Sequence, residues 1–138
     1  MAAGKEIELG STLTLKFDAN GLITAVAVDA DTGEVVMVAF MNQAALEKTL
    51  TTGNATYWSR SRQKFWVKGE ESGNTQKVVG VYIDCDQDAV VVKVRQKGPA
   101  CHNGFHSCFY RQIVSGAAGL ELKTISQQEM DPATMYKK

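Results

Sequence analysis

Two valine-rich runs that flank a short acidic segment constrain the fold of this chain more than any other feature. The runs cover residues 77–84 and 89–96 and contain many β-branched side chains, which favour strands. Residues 85–88 between them are too few for a crossover connection, so the two strands can only run antiparallel. The sequence therefore predicts a hairpin with an acidic tip.

Most other elements are also predicted to be strands. Alternating or continuous apolar patterns of strand length occur at residues 13–17, 22–28, 34–40, 55–59 and 65–68, with a weaker pattern at 120–125. Turn sequences at 18–21 and 29–33 separate the first three, and the first turn contains Asn-Gly, a strong hairpin signal. Residues 98–108 are rich in Gly, Pro and Asn and predict a loop.

One helix is predicted with both of its ends marked. Asn42 suits the N-cap position, and residues 43–50 are nearly all good helix formers. Leu46 and Leu50 lie four residues apart, and Gly53 provides a C-terminal stop. We therefore expect a mainly β fold: a β-rich α+β domain of antiparallel sheets and hairpins with one clear helix.

Length and charge restrict the class of protein. A chain of 138 residues fits a single domain covering 1–138. The 15 basic and 15 acidic residues balance, so no overall field attracts nucleic acid or an anionic membrane. No apolar run reaches the roughly 18 residues of a membrane span, and the N-terminus lacks a secretory signal. We expect a cytoplasmic protein, and the odd count of three cysteines argues against a disulfide framework.

The acidic tip, residues 84–88, is the first candidate metal site. Three aspartates within five residues need an explanation beside an apolar strand, because Asp is depleted in strands. Alternation places Asp84 and Asp86 on one face and Cys85 on the other, and the turn can return Asp88 towards the first two. Converging carboxylates suit a hard cation such as Mg²⁺. The alternative is a solvated acidic turn.

The predicted loop that follows the second valine-rich run is the second candidate site. Cys101 and Cys108 are seven residues apart, with His102 and His106 between them. This spacing differs from that of zinc fingers, and Cys85 would be needed as the third thiolate of a catalytic zinc. One alternative is that the cysteines are small buried apolar residues. Another is that one cysteine is a nucleophile with a neighbouring histidine as its base.

Basic and aromatic residues interleave in a third candidate site. Trp58, Arg60 and Arg62 lie close together, and Lys68 follows shortly after. Arginine binds phosphate with its planar fork, and an aromatic face can stack on a base. On a neutral protein this short patch fits a mononucleotide better than a nucleic acid. The alternative is a half-exposed hairpin with its aromatic side chains turned inward.

Taken together and in order, these motifs resemble a known enzyme family. They are WSRSR at 58–62, KGE at 68–70, SG at 72–73, DCDQD at 84–88, GPACHNG at 98–104 and SCFY at 107–110. Their order is similar to that of phosphoribosyl-AMP cyclohydrolases of histidine biosynthesis over residues 22–111. Two departures are Asn103, where the family usually has Thr, and the pair Phe105 and His106. His106 is therefore not expected to be a catalyst common to the family, and the chain length implies a monofunctional enzyme.

The resemblance implies a reaction and a set of metal ligands. The family opens the adenine ring of 1-(5-phosphoribosyl)-AMP by hydrolysis at the N1–C6 bond, which gives the formimino imidazole carboxamide ribotide. In relatives, three cysteines bind zinc and three aspartates bind Mg²⁺, and the first cysteine comes from the partner chain of a homodimer. The matching positions here are Cys85, Cys101 and Cys108 for zinc and Asp84, Asp86 and Asp88 for Mg²⁺.

General chemistry suggests how such a site would work. A purine that carries a phosphoribosyl group on N1 is cationic, so its C6 is electrophilic, and zinc lowers the pKa of a bound water to about 7. His102, next to a predicted ligand, is our candidate for the base, and the expected substrate contacts are Trp58, Arg60, Arg62 and Lys68. A non-catalytic nucleotide-binding module with a structural zinc, and a Cys–His hydrolase, are the alternative functions.

Overall fold

A four-stranded sheet organises the structure, a computed structural model that describes residues 7–135. The strands in chain order are β1 (Ile23–Asp29), β2 (Val35–Met41), β3 (Thr56–Ser59), β4 (Lys64–Val67), β5 (Gln76–Ile83), β6 (Ala89–Gln96), β7 (Arg111–Gly116) and β8 (Gly119–Thr124). Helix α1 (Gln43–Thr52) follows β2, and the short α2 (Pro132–Met135) follows β8. The main sheet has the order β2–β1–β6–β5, while β3–β4 and β7–β8 form separate two-stranded sheets. Within residues 7–135, no helix has the length and apolar character to cross a membrane.

The predicted class, mainly β with antiparallel hairpins and few helices, is confirmed. The two valine-rich runs form β5 and β6, which pair antiparallel and leave residues 84–88 at the connecting tip. Helix α1 begins after Asn42, whose Oδ1 accepts a hydrogen bond from the N–H of Ala45 at 2.8 Å, and it ends at Gly53 with φ 75°. The other predicted strands agree with β1 to β4 and β8 to within one residue at each end.

The parallel pairing of β1 and β6 is a feature that local patterns did not predict. Thr24 pairs with Ala89, and the register continues in parallel to Asp29 and Val94. Each of the two strands also belongs to its own antiparallel hairpin, β1 with β2 and β6 with β5. The two hairpins therefore join edge to edge, and α1 and the β3–β4 ribbon lie in the connection between them.

One face of the main sheet packs into the core. Alternate residues of the two central strands are buried there: Ile23, Ala25 and Ala27 of β1, and Val90, Val92 and Val94 of β6. Helix α1 contributes Ala45 and Leu46, and β3 contributes Tyr57. Leu50 is 60% exposed, because the buried side of α1 continues through Thr49 instead.

The predicted strand at residues 13–17 is wrong. Within the part of the chain that the structure describes, this segment pairs with no strand; instead the N–H of Lys16 donates to the carbonyl of Gln87 at 2.8 Å. Leu15 and Phe17 pack half-buried against the core, whereas Leu13 is 67% exposed. The alternating apolar residues belong to an extended segment that packs on the core. Its backbone donates a hydrogen bond to the turn at Gln87 and not to a neighbouring strand. The patterns also did not reveal β7, the partner of β8.

Candidate active site

The β5–β6 hairpin brings the three predicted aspartates together. Carboxylate oxygens of Asp84, Asp86 and Asp88 lie within 4.8 Å of one another, and all three residues are exposed. The N–H groups of Asp88 and Ala89 donate to Asp84 Oδ1 at 3.0 and 3.2 Å. Hydrogen bonds with Asp84 and then with Asp86 raise the pKa of Asp88 to about 6. The three carboxylates therefore favour a proton at the tip below about pH 6, and a divalent cation can compete with that proton.

The N-terminal segment braces the acidic tip through Gln87, a residue that sequence reasoning missed. Gln87 is 5% exposed and has a φ of 62°, which is a strained conformation for a residue other than glycine. Its Oε1 accepts a hydrogen bond from the N–H of Thr14 at 2.5 Å, and its Nε2 donates to the carbonyl of Thr12 at 3.1 Å. The one feature of the sequence that could have indicated this role is the position of Gln87, an amide side chain between two acidic residues in a predicted turn.

Cys101 and Cys108 are neighbours in the structure, close enough for Cys101 to raise the pKa of Cys108. Cys101 is 3% exposed, and its sulfur accepts a hydrogen bond from the N–H of Asn103 at 3.4 Å. The N–H of Cys108 donates to the carbonyl of Val36 at 2.7 Å, which ties the loop to β2. Desolvation of the thiol, together with neighbouring Cys101, raises the pKa of Cys108 to about 11. Both cysteines are free, so the pair offers two soft donors to a cation that displaces the thiol protons.

Cys85 does not complete a three-cysteine group within one chain. It is exposed on the acidic tip. Among residues 7–135, the three aspartates of that tip are the only group of three possible ligand residues whose donor atoms converge. Cys101 and Cys108 therefore form a pair within one chain, and Cys85 does not join them there.

Lys68 lies beside the thiol pair in a buried position that the sequence did not indicate. It is 7% exposed, and its Nζ donates to the carbonyl of Ala100 at 2.7 Å. Burial lowers the pKa of Lys68, while the neighbouring Cys108 and Cys101 act in the opposite direction. The ammonium group is thus placed to offset the negative charge that the two thiols acquire when they lose their protons.

The turn after Lys68 requires a glycine at its first position. Gly69 has a φ of 85°, and a Cβ at this residue would lie 2.4 Å from the nitrogen of Thr75 and 2.5 Å from the carbonyl carbon of Asn74. The N–H of Gly73 closes the turn by donating to the carbonyl of Gly69 at 2.8 Å. Backbone packs directly on backbone here, which explains why Gly69 follows the lysine.

A cavity of about 680 Å³ adjoins the thiol pair. Its walls include Arg62, Lys64, Lys68 and His102. Because Lys68 also binds the carbonyl of the residue before Cys101, the cavity lies next to the thiols. Its volume is in the range of small-molecule sites. Its wall also contains Glu70 and Glu71, while Arg62, Lys64 and Lys68 suit a phosphorylated ligand.

A smaller cavity, of about 350 Å³, contains the other two predicted substrate residues. Trp58 and Arg60 line it together with Asn42 and Gln63. The guanidinium of Arg60 also lies over the ring of Phe40, 4.1 Å from its centroid. The structure therefore separates Trp58 and Arg60 from Arg62, Lys68 and His102, although the sequence suggested one continuous surface.

Comparison with known proteins identifies the family. The family profile described as phosphoribosyl-AMP cyclohydrolase matches residues 37–110. A phosphoribosyl-AMP cyclohydrolase of Methanococcoides burtonii is 57% identical over 123 residues, which cover 89% of this chain and 96% of the relative. The chain belongs to the phosphoribosyl-AMP cyclohydrolase family. A relative of the same name from Rhodopseudomonas palustris is 54% identical over 139 residues, which cover 99% of this chain and 92% of the relative. One from Hyphomonas neptunium is 63% identical over 101 residues, which cover 73% of this chain and 77% of the relative.

Membership of the cyclohydrolase family confirms the predicted resemblance and makes the chain an enzyme, a hydrolase of the histidine pathway. Residues 37–110, the part that matches the family profile, contain the acidic tip, the thiol pair and the predicted substrate residues. The N-terminal segment that braces the tip, and the β7–β8 hairpin, lie outside it. The candidate site residues therefore lie in the segment from β3 to the loop that follows β6, inside the part that matches the family profile.

Proposed function

We propose that this chain hydrolyses the adenine ring of 1-(5-phosphoribosyl)-AMP at the N1–C6 bond, to give the formimino imidazole carboxamide ribotide of histidine biosynthesis. One observation carries the proposal. Lys68 and His102 line a cavity of nucleotide size, and both are next to the thiol pair: His102 follows Cys101, and Lys68 binds the carbonyl of the residue before Cys101. Membership of the cyclohydrolase family supports the same reaction.

The phosphates of the substrate are proposed to bind at two places. Arg62 and Lys68 line the larger cavity, where one phosphate would lie near the thiols. Arg60 lines the smaller cavity beside Trp58, whose ring can contact the base or ribose. Two separate cavities, each with an arginine in its wall, can bind the two phosphates of the substrate at different places.

The thiol pair fits a zinc ion. Thiolates are the soft ligands that zinc prefers, and three protein ligands with one open position are typical of catalytic zinc. We propose Cys101 and Cys108 of one chain as two of the ligands, with the Lys68 ammonium offsetting part of their charge. When bound, zinc lowers the pKa of a water to about 7 and so supplies a nucleophile near neutral pH.

His102 is proposed to move the protons. It lines the larger cavity and directly follows Cys101. His102 receives a proton from the water as the water oxygen forms its bond to C6. As the C6–N1 bond breaks, its electron pair goes to N1, which takes the proton from His102. The hydroxyl on C6 releases its remaining proton to solvent and becomes the carboxamide oxygen. Contacts of Arg62 and Lys68 with a phosphate would place the ring within reach of His102.

The acidic tip is proposed to bind Mg²⁺. Asp84, Asp86 and Asp88 present oxygens within 4.8 Å of one another, and hard carboxylate oxygens are the ligands that Mg²⁺ prefers. The neighbouring carboxylates Asp84 and Asp86 raise the pKa of Asp88, which is the direction expected where negative charges are close together. A divalent cation at the tip relieves this repulsion.

We propose that the enzyme is a homodimer in which Cys85 of one chain joins Cys101 and Cys108 of the other. The isolated position of Cys85 supports this arrangement. An apolar row also crosses the sheet on the face opposite the core. It consists of Val38, Val26, Val91 and Tyr82 in register, with Val38 45% and Tyr82 54% exposed. A second copy can cover such a row.

A cytoplasmic location is part of the same proposal. All three cysteines are free, and the proposed zinc site needs them reduced. The cytosol keeps thiols in that state.

The test is an absorbance assay of ring opening on the purified protein, with and without a zinc chelator. We expect Cys101→Ser and Cys108→Ser each to lose both zinc and activity. Asn103→Thr, which restores the residue usual in the family beside the same ligand, is the control and should remain active. Full zinc occupancy and normal turnover in either serine variant would overturn the assignment. Inactivation by alkylation but not by chelation would indicate the Cys–His hydrolase instead.

A further inference from the structure

A chain of hydrogen bonds runs from the core towards the cysteine loop, residues 98–108, through side chains that the proposed reaction does not use. It begins at Tyr57 on β3, whose buried hydroxyl donates to Gln76 Oε1 at 2.7 Å. Gln76 is 0% exposed, and its Nε2 donates to Gln96 Oε1 at 3.1 Å. Buried amides are costly unless each polar atom has a partner, so these side chains fix one another's orientation.

Gln96, the last residue of β6, connects this chain to the cysteine loop. Its Nε2 donates to the carbonyl of His106 at 3.1 Å and lies 3.4 Å from His106 Nδ1. The same carbonyl accepts the N–H of Ala100 at 3.0 Å, and the N–H of Cys101 donates to the carbonyl of Phe105 at 3.1 Å. These bonds close the loop between its two cysteines, so the position of His106 determines the shape of the loop.

The imidazole of His106 lies among carboxylates from three other segments. Its Nε2 is 2.8 Å from Asp29 Oδ2 at the end of β1 and 3.6 Å from Glu34 Oε1, and its Nδ1 is 3.5 Å from Glu129 Oε2. Asp29 is 7% exposed; although burial acts the other way, backbone N–H groups and His106 hold the pKa of Asp29 below its ordinary value. The ring of His106 is therefore held between Asp29 on its Nε2 side and Gln96 and Glu129 on its Nδ1 side.

The C-terminal segment closes over the same loop. The N–H of Glu129 donates to the carbonyl of Gly104 at 2.8 Å, and Gln128 Nε2 donates to the carbonyl of Asn103 at 2.9 Å. His106 therefore touches Gln96, the end of β1 and the C-terminal segment at once. It lines neither of the two cavities, whereas His102 lines the larger one.

We propose that His106 is a positioning residue that, through Gln96 and Asp29, holds the cysteine loop so that Cys101 and Cys108 are arranged before metal binds. The choice of zinc as the metal rests on the proposed function. The fixing of the loop does not, because it is a property of the metal-free protein and can be measured there.

The first test measures how well the loop shields Cys101, which is 3% exposed. The rate at which iodoacetamide alkylates Cys101 in the metal-free full chain is followed by mass spectrometry. We expect His106→Ala to raise this rate at least about tenfold, as a loosened loop opens more often. His106→Gln should recover part of the protection, because its amide can donate to Asp29. Arg95→Ala is the matched control: Arg95 precedes Gln96 on β6 but is exposed and forms a surface ion pair with Asp31, so the rate should not change.

The second test measures zinc affinity by competition with a chromogenic chelator. Loss of a residue that orients a metal ligand typically weakens binding about 10- to 100-fold, and we expect a change of this order for His106→Ala. Glu129→Ala removes an outer contact whose side chain is 47% exposed, so the protein should fold, and affinity should fall by less in the same direction.

Two outcomes separate this proposal from the proposed function. If His106→Ala keeps the wild-type alkylation rate and zinc affinity while its melting temperature falls, His106 only stabilises the fold and the proposal is overturned. If His106→Ala does not fold, unchanged alkylation in both His106→Gln and Glu129→Ala overturns it equally. A wild-type protein that takes up no zinc at its thiols would overturn the zinc assignment, and the alkylation rates would still decide the role of His106.

Discussion

Gly69 and Gly73 form a matched pair of residues within one turn. Both have a positive φ, 85° and 80°, but only at Gly69 do backbone atoms occupy the position of a Cβ; at Gly73 nothing lies within 4 Å. Alanine at either site carries the cost of a left-handed backbone, about 1 kcal/mol. We expect Gly69→Ala to lower the free energy of unfolding by about 2 kcal/mol more, because the turn must also shift. Urea denaturation measures both variants, and equal losses would contradict the close packing at Gly69.

Arg60 and Arg62 are separated by one residue but line different cavities. We expect Arg62→Ala to raise KM more than it lowers kcat, because a phosphate contact made equally in the ground and transition states affects binding alone. Arg60→Ala should raise KM as well. It should also lower stability by about 0.5 to 1 kcal/mol, because its guanidinium packs on the ring of Phe40. Steady-state kinetics and thermal unfolding test both variants. A wild-type KM in both variants would show that this segment is only a structural hairpin and does not bind the substrate.

Within the β5–β6 hairpin, three carboxylates lie close together at the tip and repel one another when they are ionised. The hydrogen bonds of Asp88 with Asp84 and Asp86 raise the pKa of Asp88 to about 6, from an ordinary value of 3.8. Between these two pH values the folded tip keeps a proton that the unfolded chain has released. The contribution of this group to stability is therefore present at low pH and is lost as pH rises through about 6.

The direction of this pKa shift predicts how the affinity for Mg²⁺ depends on pH. Because the cation competes with the shared proton, we expect its affinity, and the rise in melting temperature that it causes, to increase from about pH 5 to about pH 7 and then to level off. Thermal unfolding with and without Mg²⁺ across this range is the measurement. Asp86→Asn should weaken the Mg²⁺ effect without removing zinc. A Mg²⁺ effect that does not change with pH, or loss of both metals in a folded Asp86→Asn protein, would contradict two separate sites.

At the scale of the whole molecule, the arrangement of cysteines leads to a prediction about subunit mixing. Homodimers of Cys85→Ala and of Cys101→Ala should each be inactive. In a mixed dimer, one chain offers intact Cys101 and Cys108 and the other offers intact Cys85, so one complete site forms. With free exchange about half of the dimers are mixed, and activity should return to roughly a quarter of wild type by the symmetry of an isologous pair.

The outcome of subunit mixing separates the shared site from the enzyme assignment. If one chain supplied all three cysteines, every site in the mixture would lack a ligand and no activity would return. Exchange is verified independently by mass spectrometry of differently tagged chains. No recovery after verified exchange would refute the shared site and leave the cyclohydrolase assignment standing.

Short-range sequence patterns were sufficient to predict the local elements of this protein. The N-cap at Asn42, the stop at Gly53 and the antiparallel pairing of β5 with β6 depend on residues close together in the chain, so periodicity and turn chemistry predict them. The convergence of the three aspartates is equally local, because one turn brings them together. The motif order was also sufficient to predict the enzyme family, since it is a property of the sequence alone.

The contacts between these elements could not be predicted from the sequence and are known from the folded structure. The parallel contact of β1 with β6, the loop conformation of residues 13–17 and the burial of Lys68 against Ala100 all join segments that are far apart in the chain. The hydrogen-bond chain from Tyr57 to His106 likewise crosses three strands and a loop. Local patterns cannot predict such contacts, because the partner that satisfies a buried polar group depends on which distant segment packs beside it.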